Sequence, residues 1–219
     1  MAKVLSPARI LIVDDHSMVR EGLRMRISAF PDLEVCGEAA SEEEAMLLIK
    51  ETNPQLILVD ISLKSGHGIE LIKRVKSSHP SIKMLVSSGF QESLYAERAL
   101  RAGALGYLNK QDSGEKVIEA IRTVLRGDRY VSPEITQRLV SQALGTKSQS
   151  SNPIDLLTDR ELEIFRMIGQ GKTSGAIASD LFLSNHTIDT HRENIKRKLG
   201  LKNAAELNRN AVQFLLENG

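Results

Sequence analysis

The chain has 219 residues, 41% of them hydrophobic and 26% charged, with a formal net charge of +1. That length makes one large domain or two small ones, and a near-neutral balance excludes attraction to nucleic acid or acidic surfaces by overall charge alone. Cys36 is the single cysteine, so no internal disulfide can form; it fits a reducing compartment and reads as a small buried hydrophobe, and no apolar run approaches the ~20 residues of a membrane-spanning helix.

Met1 through Pro7 lead directly into a strand-like segment and do not read as a signal peptide. Residues 8–14 are an apolar run ending in acid, with Asp15 directly after Asp14. Ser17 is placed to cap a helix whose apolar positions Val19, Leu23 and Ile27 lie one turn apart. Residues 33–39 read as a second strand. Ser41 and Glu44 make a capping box that opens a helix through about Lys50. Asn53 and Pro54 turn the chain into residues 55–60, an apolar run that stops at Asp60 and reads as a strand buried on both faces. Gly66 and Gly68 punctuate the next loop, and Ile69, Ile72 and Val75 give helical spacing. After Pro80, residues 82–86 predict a fourth strand running into Ser87, Ser88 and Gly89. A helix over 91–102 is stopped by Gly103, residues 105–108 form a fifth strand before Asn109 and Lys110, and Ser113 opens a helix ending at Gly127. Another helix is expected over 132–145, with Ser132 as cap and Pro133 in its first turn, and the polar residues 145–153 read as a flexible linker.

From there the spacing is wholly helical. Thr158 and Glu161 make a second capping box for a helix to about Gln170, ended by Gly171. A short helix over 174–181, a tight turn through Ser184, a longer helix over 185–199 ended by Gly200 and a last helix over about 203–217 follow. Two helices joined by a tight turn, the second polar and basic, form the helix-turn-helix pattern. Ala178, Leu181, Ile188 and Leu199 are its expected core.

Five consecutive βα units imply an α/β domain, a five-stranded parallel sheet doubly wound in the flavodoxin manner with right-handed crossovers. The expected division is a first domain over 1–130, a linker with one helix over 131–155 and an all-α helix-turn-helix domain over 156–219.

Asp14, Asp15, Asp60, Ser88 and Lys110 all fall at the carboxyl ends of predicted strands, which in such a sheet open into one crevice. Three carboxylates together repel one another without a cation, and an oxygen-only donor set suits Mg²⁺. Lys110 offers a point charge and Ser88 a hydroxyl donor to a phosphoryl group. A carboxylate in that setting is equipped to attack phosphorus and form an acyl phosphate.

These residues carry a resemblance that covers nearly the whole chain. The runs 12–16 (Ile-Val-Asp-Asp-His), 59–62 (Val-Asp-Ile-Ser) and 103–110 (Gly-Ala-Leu-Gly-Tyr-Leu-Asn-Lys), with Ser88, resemble the receiver domain of two-component response regulators over residues 8–128. The runs 157–161 (Leu-Thr-Asp-Arg-Glu) and 187–192 (Thr-Ile-Asp-Thr-His-Arg) resemble the output domain of their NarL/FixJ group, with its LuxR-type helix-turn-helix, over 156–215. The resemblance implies a cytoplasmic transcription factor rather than an enzyme. It makes Asp60 the phosphoacceptor of a sensor histidine kinase, and Asp14, Asp15, Asp60 and the Ser62 backbone carbonyl the Mg²⁺ site. Ser88 and Lys110 would bind the phosphoryl group, with Tyr107 as the aromatic whose rotamer follows Ser88. It also implies a homodimer, when phosphorylated, on double-stranded promoter DNA, with no membrane partner. Two loop positions depart from the family: Leu63-Lys64 and Gln111 stand where many members have proline.

The polar face of the 185–198 helix is expected to enter the major groove. Asn185, His186, Thr187, Asp189, Thr190, Arg192 and Glu193 are candidates near its start, and Lys172, Lys196, Arg197 and Lys198 are candidate phosphate contacts. The family usually has lysine at the position of Asp189, and a charged pair where this chain has Gly175-Ala176. An acid at 189 weakens phosphate attraction, or accepts a hydrogen bond from a cytosine amino group. An alternative is therefore a response regulator that has weak or lost DNA binding and acts through protein contacts. An aspartyl-phosphate phosphatase is disfavoured, because Ser62 stands where that class needs a second acid.

Overall fold

The computed structural model describes residues 6–63, 66–144 and 153–218. The chain divides into two compact units, Met1–Ala143 and Leu144–Gly219.

Unit one alternates strands β1 (Ala8–Val13), β2 (Leu33–Ala39), β3 (Leu56–Val59), β4 (Lys83–Ser88) and β5 (Gly106–Asn109) with helices α1 (Ser17–Ser28), α2 (Glu42–Thr52), α3 (Gly68–Ser78), α4 (Glu92–Ala102) and α5 (Gly114–Arg126). The sheet is parallel throughout, in the order β2-β1-β3-β4-β5, the order of flavodoxin-type doubly wound sheets. Strands covered by helices on both faces must be apolar at every position, not at alternate ones. Ile10–Val13 and Leu56–Val59 meet that requirement and are essentially inaccessible to solvent. Leu23 and Ile27 of α1, with Val117, Ile118, Ile121 and Val124 of α5, close one face.

Local chemistry sets the boundaries. Ser41 accepts a hydrogen bond from Glu44 N–H at 3.2 Å, and the Glu44 carboxylate accepts from Ala40 N–H at 2.7 Å, one residue earlier than a reciprocal capping box requires. Asn53 ends α2 in the left-handed conformation at φ 45°. Ser17 does not cap α1: His16 holds that position without a side-chain cap bond, and Ser17 is the first helical residue. Ser113 does precede α5, but its hydroxyl makes no cap bond either. Cys36 is half-buried, its Sγ 3.5 Å from Thr52 Oγ1.

Helix α6 (Pro133–Ala143) belongs to unit one and ends before Gly145. The predicted linker over 145–153 lies outside the described residues except for Pro153, which starts a short 3₁₀ turn, Pro153–Leu156.

Unit two contains α7 (Asp159–Gly169), α8 (Ser174–Asp180), α9 (Asn185–Leu199) and α10 (Ala204–Asn218). The Thr158–Glu161 capping box is complete in both directions. Phe165 and Phe214 meet at 5.5 Å between centroids, with Leu162, Ile177, Ile188, Ile195 and Leu207 buried around them. Ala178 and Leu181 are core as expected, whereas Leu199 is only half-buried. Between α8 and α9 the chain reverses through Phe182, at φ 54°, and Ser184 Oγ caps α9 by accepting from Thr187 N–H. This is the predicted helix-turn-helix. No helix among the described residues is long and apolar enough to cross a membrane.

Candidate functional site

β1 and β3 are neighbours, yet β1 leads to β2 on one side of the sheet and β3 to β4 on the other. Their carboxyl ends frame the switch point at which a parallel sheet opens a crevice. The backbone ladder continues one bond past each strand that supplies the site. Asp14 N–H donates to Ala39 O at 3.0 Å, Asp60 N–H to Val13 O at 2.8 Å, and Lys110 N–H to Ser88 O at 2.9 Å. With the backbone fixed in this way, the three side chains converge.

Lys110 Nζ lies 2.6 Å from Asp14 Oδ2 and 2.7 Å from Asp60 Oδ2. Burial pushes the Asp60 carboxyl from 3.8 up to about 6, against the opposing pull of the Lys110 ammonium and with the charge of Asp14 adding to the rise. Burial would lower Lys110, but the two carboxylates outweigh it and hold its pKa above the ordinary value. Asp60 Oδ1 is buried and accepts no hydrogen bond. One ligand atom each from Asp14, Asp15, His16 and Asp60 falls within 4.8 Å of the others. Crowded carboxylates with an orphaned buried oxygen fit a hard divalent cation such as Mg²⁺ that keeps water in its remaining positions.

Ser88 is buried, and its Oγ accepts from Phe90 N–H at 3.2 Å. Tyr107 is also buried, and its hydroxyl donates to Phe90 O at 2.8 Å. The two predicted switch residues therefore meet at one loop residue. Ser62 is half-buried in the loop that follows Asp60.

Three contributors carried no assigned role in the sequence. His16 N–H donates to Asp14 Oδ1 at 2.9 Å, and its Nδ1 lies 2.6 Å from Asp15 Oδ1; adjacency to the acid pair was the available signal. Arg20 Nη1 donates to the Asp14 carbonyl at 2.5 Å, a link with no sequence signature. Gly68, which reads as loop punctuation, instead opens α3 hard against the backbone of Asp60 and Ile61. A Cβ there would sit 2.0 Å from Asp60 O, so only glycine allows the approach.

In unit two, α9 buries Ile188 and Ile195 and exposes His186, Asp189, Thr190, Glu193 and Arg197 along its opposite side. Asn185 is exposed and Thr187 half-buried at its start. The predicted cations behave differently from one another. Lys198 Nζ is held at 2.6 Å by buried Glu161, Lys172 at 2.8 Å by Asp180, and Lys196 at 2.8 Å by Glu193. Arg192 donates to Asn208 Oδ1 at 3.3 Å and Arg197 to Asn194 Oδ1 at 3.0 Å. The Asp189 carboxylate is exposed and has no partner among the described residues.

Residues 10–122 match the family of response regulator receiver domains, and residues 155–211 match the bacterial regulatory proteins of the luxR family. The chain is 37% identical to response regulator GacA of Pseudomonas protegens, over 94% of this chain and 95% of that protein. It is 35% identical to oxygen regulatory protein NreC of Staphylococcus carnosus, over 91% of this chain and 94% of that protein. RcsB of Salmonella enterica serovar Typhimurium, solved bound to promoter rprA with the phosphomimetic BeF3⁻, shares the fold. Its TM-score is 0.62 at 24% identity, covering 93% of this chain and 97% of that one.

Proposed function

The chain belongs to the response regulators that join a receiver domain to a LuxR-family DNA-binding domain, a family of transcription regulators and not of enzymes, and from that membership we propose that it is a phosphorylation-switched regulator of promoter DNA. Residues 1–130 are the receiver, 131–155 the linker and 156–219 the output domain. The observation that carries the reading is the buried Asp60 carboxylate, raised to about 6, with Lys110 on one oxygen and nothing on the other.

In the cytoplasm, Asp60 takes a phosphoryl group from the phosphohistidine of a sensor histidine kinase. The carboxylate oxygen bonds to phosphorus as the P–N bond breaks, and the histidine nitrogen leaves with that electron pair. Asp14, Asp15, Asp60 and the Ser62 carbonyl would hold Mg²⁺, which would supply positive charge beside the phosphoryl group. Lys110 keeps its contact with Asp14 and turns its remaining protons to the phosphoryl group. The Ser88 hydroxyl donates to it as well, and Tyr107 follows through the Phe90 loop. Two phosphorylated copies then pair on double-stranded promoter DNA.

The polar side of α9, carrying His186, Asp189, Thr190, Arg192 and Glu193 with Asn185 and Thr187 at its start, faces the major groove. Lys172, Lys196, Arg197 and Lys198 contribute to the phosphate contacts only where they leave their present partners; Lys198, tied to Glu161, is the least available. These internal pairings and the exposed Asp189 support a second reading, in which DNA binding is weak and the output acts through protein contacts.

The test is recovery of genomic fragments by the full chain with Mg²⁺, with and without beryllofluoride, beside an Asp60→Asn control. Recovery that rises with the mimic in the natural chain alone supports the switch. Equal recovery in all three cases removes the gating, and no recovery in any of them moves the protein-contact reading to the front.

A further inference from the structure

After α5 the chain does not leave the sheet. Tyr107 N–H donates to Tyr130 O at 2.8 Å and Tyr130 N–H to Leu105 O at 3.0 Å, so Tyr130 adds a parallel bridge alongside β5. A Cβ on Gly106 would stand 2.7 Å from Tyr130 O, so the glycine is what lets the two backbones come together. Beyond this bridge Ser132 caps α6, its Oγ accepting from Ile135 N–H at 3.3 Å.

α6 is then fastened to the first turns of α4. Ser132 N–H donates to Glu92 Oε1 at 2.8 Å. Arg138 Nη1 donates to the Ser93 carbonyl at 3.0 Å, and its Nε lies 3.7 Å from Glu97 Oε2. Glu97 is shared, its other oxygen lying 2.5 Å from Arg101 Nη2. Ile135 is buried, at 2% exposure, in a helix whose other side chains are mostly open to solvent. Ile135 and these polar fastenings are an attachment of a kind that opens locally while the sheet stays intact.

The same turns of α4 are tied to the switch residues. α4 starts directly after the loop in which Phe90 binds Ser88 through its N–H and Tyr107 through its carbonyl, and the Phe90 ring stacks on Tyr95 of α4 at 4.8 Å. Tyr107 touches the path twice: its hydroxyl bonds the loop before α4, and its backbone bonds the residue that leads into α6. A two-state element needs contacts that differ between its states. Swinging the Ser88 hydroxyl toward a phosphoryl group on Asp60 draws it off the Phe90 N–H, and the first turn of α4, which carries Glu92 and Ser93, is next in line.

We propose that α6 is a latch on the receiver, clasped to α4 by Glu92, the Ser93 carbonyl and Glu97 through Ser132 and Arg138, and that phosphorylation of Asp60 shifts this clasp. α6 is the last element of unit one in chain order, so the latch converts a change at the β4–α4 loop into a change in the segment that leads to the output domain. This rests on Asp60 being the phosphoacceptor, as proposed above.

The test is amide hydrogen exchange on the full chain, with Mg²⁺ and with or without beryllofluoride, in the natural protein and in Arg138→Met, which keeps an aliphatic stem and loses both polar contacts. The natural protein changes exchange severalfold both at residues 88–93 and along Pro133–Ala143 when the mimic is added. Arg138→Met exchanges roughly tenfold faster along α6 without the mimic, as loss of charge-assisted bonds to a carbonyl and a carboxylate predicts. It then shows no further response there, while residues 88–93 still respond. A natural protein whose residues 88–93 respond while α6 does not overturns the latch and leaves the phosphoacceptor reading standing. So does an Arg138→Met chain whose α6 responds as the natural one does. No response in either segment of the natural protein overturns the phosphoacceptor reading, and the latch with it.

Discussion

Each unit of this protein holds a buried carboxylate beside a lysine, and the two have opposite fates. Glu161 in α7 takes both of its donors on one oxygen, Lys198 Nζ at 2.6 Å and Thr158 N–H at 2.8 Å reaching Oε2. Burial pushes its pKa up, but Lys198, 2.6 Å away, and the Thr158 backbone and hydroxyl bring it below the ordinary value. Asp60 also has its lysine, at 2.7 Å, yet burial wins, Asp14 adds to the crowding, and one oxygen is left without a donor. A buried charge whose donors outweigh its burial holds a fold together, whereas one that burial still opposes has remaining capacity for a cation or a phosphoryl group. Proximity of a lysine does not distinguish a structural acid from a reactive one; whether the donors outweigh burial does.

The largest effect expected from this contrast is at Glu161. Glu161→Ala removes half of the capping box and strands Lys198, so unit two should lose about 2–4 kcal/mol, read as faster hydrogen exchange across α7 and α9. The Glu161 pairing should be at full strength above pH 4.5 and fail as the pH falls through its lowered value. A neutral result would show that the pairing is replaceable by water.

Asp60 should behave in the opposite sense. The folded receiver holds the Asp60 proton more tightly than the unfolded chain does. The stability this gives is complete below 3.8 and is lost as the pH rises through about 6. In chelator, Asp60→Asn should therefore melt higher than the natural chain at about pH 8, by on the order of 2 kcal/mol, with the gain shrinking toward about pH 5. A natural chain more stable than the variant at the higher pH would contradict the crowding at this site.

Gly68→Ala probes the backbone under the same acid. Its Cβ would be driven into Asp60 O, and overpacking of this kind costs roughly 1–3 kcal/mol. Beryllofluoride affinity should fall along with the melting temperature; unchanged affinity would mean that the loop relaxes freely. The smallest expected effect is Asp189→Lys on α9, which should steepen the salt dependence of DNA affinity by about one phosphate's worth, measured by titration at several salt concentrations. An unchanged slope would place residue 189 away from the phosphates.

The fold was largely legible because its strands are buried on both faces. Runs such as 55–60 cannot be mistaken for amphipathic elements, and Asp60 stands out as an acid at the end of one. Both capping boxes also announced their helices, although only the one at Thr158 is reciprocal. What stayed hidden depends on contacts between distant segments. Nothing local to Gly68 says that α3 starts against the Asp60 carbonyl, nothing near Arg20 points to Asp14 O, and nothing near Arg138 points to α4. Lys198 reads in the sequence as a phosphate contact beside Lys196 and Arg197, whereas the packing of α9 on α7 carries it to Glu161. Ser17 failed as a cap because it is already inside α1, with His16 at the cap position.

Phosphorylation of Asp60 is the step on which the proposed switch depends. The most direct measurement is intact mass of the full chain after incubation with acetyl phosphate and Mg²⁺, followed by borohydride reduction to convert an acyl phosphate on Asp60 to homoserine. The natural chain should gain one phosphoryl group and yield homoserine at position 60, with no addition in chelator or in Asp60→Asn. A phosphoryl group gained by Asp60→Asn, or none gained by the natural chain, would contradict Asp60 as the phosphoacceptor.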